Sequence, residues 1–169
     1  QGPLIRRNRY EVVPADDDAD KQISGLVIRG GELLTESVWD DTDIVHVLNE
    51  SVTVGNLQSS GGLRLQSRAN ESLVVKLMGG GTPNSPTLGT GLTATGETSD
   101  SAQRIGGTLQ IVGLPGAPVV LTSFKDDTVG AGISVDGTQF TDTNGDSYGS
   151  RPQSNDWRSI LLDQYSNDR

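Results

Sequence analysis

The sequence predicts an all-β protein, and within that class a parallel β-helix (β-solenoid) with an extended N-terminal arm. Three observations predict it. The 169 residues include 22 Gly but only 4% aromatic and 33% hydrophobic residues. That balance suits thin repeating layers filled by Val, Ile and Leu with Gly at the corners, rather than a compact globule. The apolar residues fall in short β-branched runs between Gly- or Asn-containing corners. Helical periodicity is absent over any useful length. Disorder is the competing account of low hydrophobicity with a net charge of −9, and the clustered apolar runs oppose it.

The arm comes first. Gln1 to Tyr10 carries three Arg (Arg6, Arg7 and Arg9) in an otherwise acidic chain, Tyr10 to Pro14 reads as a short extended piece, and Ala15 to Asp20 reads as a solvated acidic linker. The division expected is an arm and linker over 1–22 and a β-helix domain over 23–169. Expected strands in the domain are Ser24–Ile28, Asp43–Leu48, Ser51–Val54, Gly62–Gln66, Ser72–Met78, Gly91–Thr95, Gly107–Val112, Pro118–Phe124 and Ser159–Gln164. Thr82 to Ser101, rich in Thr, Ser, Gly and Pro, reads as an exposed loop outside Gly91–Thr95.

An antiparallel sandwich is the rival architecture. It calls for tight hairpins between alternating runs, yet the one Asn-Gly pair, Asn144-Gly145, lies in a polar loop. The segments Gly62-Leu-Arg-Leu65, Gly91-Leu-Thr-Ala94 and Gly107-Thr-Leu-Gln-Ile111 instead repeat Gly followed by alternating residues, a pattern that stacks into ladders.

The stretch from Gly107 to Gly132, with its Gly-Thr-Leu strand, Thr122-Ser123 ending and Asp126-Asp127 pair, is followed by Asp142-Thr-Asn-Gly-Asp146 and by Asn155-Asp-Trp-Arg-Ser-Ile160. In that order these pieces resemble right-handed β-helix modules of large surface proteins of planctomycetes and related bacteria. Val38-Trp-Asp-Asp-Thr-Asp-Ile44 and Gly61 to Leu77 extend the resemblance to roughly residues 38–169. It implies a right-handed β-helix and extracellular display, and it carries no established reaction.

Asp142-x-Asn144-x-Asp146 places hard oxygen donors at alternate positions with Gly145 between them, which suits Ca²⁺. The sixth position is Ser147 rather than Gly and the twelfth Gln153 rather than Glu, so further ligands are sought among Asp126, Asp127 and Asp156. The bland alternative is a loop held by its own side chain to backbone bonds. Asp40, Asp41 and Asp43, and separately Asp16, Asp17, Asp18 and Asp20, read as solvated acidic faces. His46, the only His, is expected on a strand surface; Trp39 and Trp157 are expected to pack over coil ends. Asn49-Glu-Ser51 and Asn70-Glu-Ser72 fit the N-glycosylation pattern.

No Cys is present, which removes disulfides and thiolate metal sites. The acidic balance opposes nucleic-acid binding, and no apolar run is long enough to span a membrane. Gln1 is not Met and no signal-like segment follows it, so a processed or truncated chain is expected. No nucleophile elbow or acid–base constellation emerges around His46, Lys21, Lys76 or Lys125, and the chain is read as no enzyme. The expected function is an extracellular structural subunit, a homopolymeric fibril built head-to-tail by solenoid stacking and by strand addition. The arm is the donor, through Leu4, Ile5, Tyr10, Val12 and Val13, and an open solenoid end is the acceptor. Surface glycans are a further candidate partner. A module of a giant surface protein or adhesin, and a carbohydrate-active β-helix enzyme, are the alternatives.

Overall fold

The computed structural model describes residues 9–10, 23–55, 62–79, 89–96 and 106–167. Among them there is no helix, and every pairing between strands is parallel. A short β1 (Arg9–Tyr10) precedes β2 (Leu26–Ile28), β3 (Gly31–Leu33) and β4 (Ser37–Trp39). Then follow β5 (His46–Leu48), β6 (Val52–Val54), β7 (Gly62–Gln66), β8 (Leu73–Leu77), β9 (Leu92–Ala94) and β10 (Thr108–Val112). The last three are β11 (Val119–Ser123), β12 (Ile133–Ser134) and β13 (Ile160–Leu162).

The chain visits three sheets in rotation. Consecutive strands lie in different sheets, and each sheet collects the corresponding strand of each round: β11-β8-β5-β2, β13-β9-β6-β3 and β10-β7-β4. Parallel neighbours need long connections, so a run of short strands divided by corners closes onto itself only one round later. The sandwich alternative is excluded by this pairing, and the arrangement fits a β-solenoid.

Register turns the short apolar runs into columns. Leu26, His46, Val75 and Leu121 are successive partners in the first sheet, and Ile28, Leu48, Leu77 and Ser123 follow two residues on. Leu33, Val54, Ala94 and Leu162 form a column in the second sheet, and Trp39, Leu65 and Ile111 one in the third. Their inward members make one core that includes Leu48, Val54, Leu65, Val75, Leu77 and Ala94. Because strand side chains alternate, Val47, Lys76 and Thr122 take the opposite face of the first sheet.

That opposite face has its own cover. Residues 124–147 run along it, and Val45, Val47, Val74 and Ala131 make a second cluster joined by Ile23, Met78, Val120, Phe124 and Val129. The segment is tied down at two rounds of the coil: Lys76 Nζ donates to the Thr141 carbonyl at 2.8 Å, and Ser24 N–H donates to the Thr143 carbonyl at 2.9 Å. β8 is therefore buried along its whole length, which explains its unbroken apolar run around a single Lys. β12, in the same segment, pairs with β1 of the arm through Arg9↔Ile133 and Tyr10↔Ser134.

The expected strands all contain a real one, shortened by one to three residues at most ends. β3, β4 and β12 were not expected: their short sequences show little of the apolar alternation that marks their neighbours. The expectation for His46 is corrected. Its register with Val75 turns it inward, it is 1% exposed, and it lies under Trp39. Trp39 and Trp157 do pack against the core. Leu4, Ile5, Val12, Val13, the acidic linker and Lys21 lie outside the described residues, as do 82–88 and 97–101 of the Thr/Ser-rich stretch.

Candidate metal centre

The Asp142–Asp146 loop sits where the covering segment returns over Lys76. Its conformation is written locally: Gly145, Ser147 and Tyr148 all adopt positive φ (69°, 55° and 66°), which winds the backbone around the carboxylates. Asp146 N–H and Ser147 N–H donate to Asp142 Oδ1 and Oδ2 at 3.1 and 3.0 Å. Gly149 N–H and Ser150 N–H each donate to Asp146 at 2.8 Å, and Asn144 Nδ2 donates to Asp146 Oδ2 at 2.8 Å and to Ser150 Oγ at 2.9 Å. Burial works to raise the Asp146 pKa, but these bonds from Ser150, Gly149 and Asn144 outweigh it and hold the carboxyl below its ordinary value.

The tertiary fold adds Asp127. One carboxylate oxygen from each of Asp127, Asp142 and Asp146 lies within 4.8 Å of the others. Both Asp127 oxygens are shielded from solvent without a hydrogen-bond partner, and so is Asn144 Oδ1. Burial pushes Asp127 up to about 6; Lys76 opposes the shift, while Asp146, Asp142 and Asp126 add to it. The Lys76 ammonium, on a side chain 0% exposed, is pulled below its ordinary pKa by desolvation against the attraction of the same four carboxylates. One cation facing four anions leaves this corner net negative. Three carboxylates and a free amide oxygen are the oxygen donors that a hard divalent ion such as Ca²⁺ takes.

The structure separates the other two ligand candidates from this group. Asp126 is occupied by the hydroxyls of Thr122 (2.6 Å) and Thr128 (2.6 Å) and by Thr128 N–H (3.0 Å). Asp156 belongs to a different knot, where it accepts from Ser123 Oγ at 2.8 Å, Lys125 Nζ at 2.9 Å and Gln153 N–H at 2.8 Å. Neither lies in the group of three carboxylates formed by Asp127, Asp142 and Asp146.

The remaining candidates are scattered. Asp40 pairs with Arg68 at 3.0 Å and Asp41 is buried, so this cluster is part of a corner rather than a solvated face. Asn49 and Asn70 are both exposed, Asn70 in a left-handed turn at φ 67°. A cavity of about 410 Å³ lies between Thr42-Asp43, Asn70 to Ser72 and Gly130 to Ile133, with Thr42 Oγ1 donating to Glu71 across it. Among the described residues no helix is long and apolar enough to cross a membrane. No protein-family model, curated protein or solved structure matches the chain.

The charged residue beside this group that the sequence did not single out is Lys76. A charged residue in the middle of Leu73-Val-Val-Lys-Leu77 signals a partner across that face, but not which one.

Proposed function

We propose that this chain is a non-catalytic structural subunit, a right-handed parallel β-helix displayed outside the cell that builds a fibril head-to-tail. The observation that carries the reading is the three-sheet rotation, in which each round offers the next one a complete set of parallel edges. Chains built this way grow by adding rounds, from the same molecule or from another. The arm supplies the second contact. Its β1 strand lies on β12 of its own chain rather than on an end of the three sheets, so the acceptor is the edge of β12. A short arm pairing at an exposed edge exchanges between copies at little cost, and in the fibril it lies on the neighbour's β12.

Ca²⁺ belongs to this reading as a staple. Bound between Asp127, Asp142 and Asp146, it would fasten the two ends of the covering segment, which carries β12, to each other: the start just after β11 at Asp127 and the return at Asp142 and Asp146. Negative-stain imaging of the concentrated protein, with and without residues 1–14, tests assembly. Filaments are expected from the full chain and none from the truncated one; filaments of the same symmetry from both would overturn the donor role of the arm.

A further inference from the structure

The columns that run through the core do not end in the same way as they begin. In the third sheet Leu65 is fully buried, yet its partner on the last strand, Ile111, is 43% exposed. In the second sheet Ala94 is fully buried and its partner Leu162 is 63% exposed, with Leu161 beside it at 49%. Inward-facing positions are thus laid open where the last round stops. At the opposite end Val27 on β2, Val38 on β4 and Leu34 after β3 are exposed. Among the described residues no strand pairs with the outer edges of β2 and β3, nor with those of β11 and β13.

We infer that the two four-stranded sheets continue from one copy into the next, β11 taking β2 and β13 taking β3 of a second copy. The inference rests on the filament reading above and adds its axial contact and register. The occupant follows from continuity with the pairing already present inside the chain. All strands in each sheet run the same way, so a copy translated along the stack presents β2 and β3 with the polarity that β5 and β6 already accept. A two-fold contact would set the edges antiparallel. Continuing the observed columns places Leu121 beside Leu26, Leu161 beside Glu32 and Leu162 beside Leu33 of the next copy. Leu162 then gains the apolar neighbour that Ala94 provides on its other side. Two three-residue rungs are a small contact beside the roughly 1,200–2,000 Å² that specific interfaces bury, and the exchanged arm supplies further area.

The absence of Cys makes the register directly testable. Neighbouring strands lie about 4.8 Å apart, within the Cα separation a disulfide spans. Glu32 and Leu161 are both exposed, so Glu32→Cys and Leu161→Cys leave the core untouched. The full chain carrying both substitutions, oxidised during assembly, should yield a ladder of covalent multimers. Mixing the two single variants should give only the mixed dimer. Leu162→Asp, added to the double variant, should abolish the ladder while thermal melts show the monomer still folded. Dimers formed by either single variant alone would overturn the parallel, translated contact. Filaments in micrographs without a ladder would overturn this register and leave the filament reading standing; a protein that stays monomeric at every concentration overturns both.

Discussion

The Trp39 indole lies over the His46 imidazole inside the coil, ring centroids 5.7 Å apart and planes inclined by 19°. Stacking on an aromatic face lets an apolar column absorb a polar ring, although His46 Nδ1 is left without a partner.

Desolvation lowers the His46 pKa from 6.5, against the pull of Asp41, an Ile44 backbone hydrogen bond and Asp40. The folded state therefore holds the neutral ring where the unfolded chain binds a proton. Stability is retained above pH 6.5 and falls as pH drops below it, levelling once the folded ring itself titrates. His46→Leu should remove that part of the slope in urea midpoints measured between pH 7.5 and 5.

Lys76 anchors the covering segment through one bond to the Thr141 carbonyl. Lys76→Met keeps the length of the stem but removes the ammonium's bond to the Thr141 carbonyl, which still accepts from Thr143 N–H, and the positive charge that opposes the upward shift of Asp127. A loss of about 1–3 kcal/mol is expected from urea unfolding, with faster proteolytic cutting between 125 and 150 than in the core strands.

Asp127 carries the opposite pH sign to His46. Its folded pKa, about 6, exceeds the ordinary 3.8, so its contribution favours the folded state below 3.8 and is lost as pH rises through about 6. In chelator, Asp127→Asn should raise the Tm at pH 7 and leave it nearly unchanged at pH 3.5. Adding Ca²⁺ at pH 7 should raise the Tm of the parent and not of Asp127→Asn or Asp142→Asn. Equal responses in parent and variants would remove the metal centre.

Gly107 tests the corners. A Cβ there would lie 2.0 Å from the Val54 carbonyl oxygen, a backbone atom with no freedom to retreat. Gly107→Ala should cost about 1–3 kcal/mol in unfolding free energy, well beyond a helix-propensity or surface effect.

Much of the strand content was legible because each core strand carries its own signal. Gly62-Leu-Arg-Leu-Gln66 alternates buried and less buried positions as a half-buried strand must, and its boundaries were read without error. Gly31-Glu-Leu33 and Ser37-Val-Trp39 were not legible, since end strands bury only one or two side chains each. The Asp142–Asp146 loop was visible as a spacing of oxygen donors. Its third carboxylate was not singled out, because Asp126, Asp127 and Asp156 are equivalent in sequence and differ only in which hydroxyls and ammonium groups the fold sets beside them.

The sequence by itself determined that the chain is all-β, where most rounds turn, and that an oxygen-rich loop lies at Asp142–Asp146. Those properties are local: alternation, Gly at close approaches, and Asp or Asn spacing act within a few residues. Only the tertiary structure decided that His46 faces inward, that Lys76 spans from the sheet to Thr141, and that Asp127 rather than Asp126 or Asp156 joins the loop. The first two depend on register between strands far apart in the chain, where a shift of one residue would send His46 and Lys76 to the other face, and the third on how the segment after β11 folds back over the sheet.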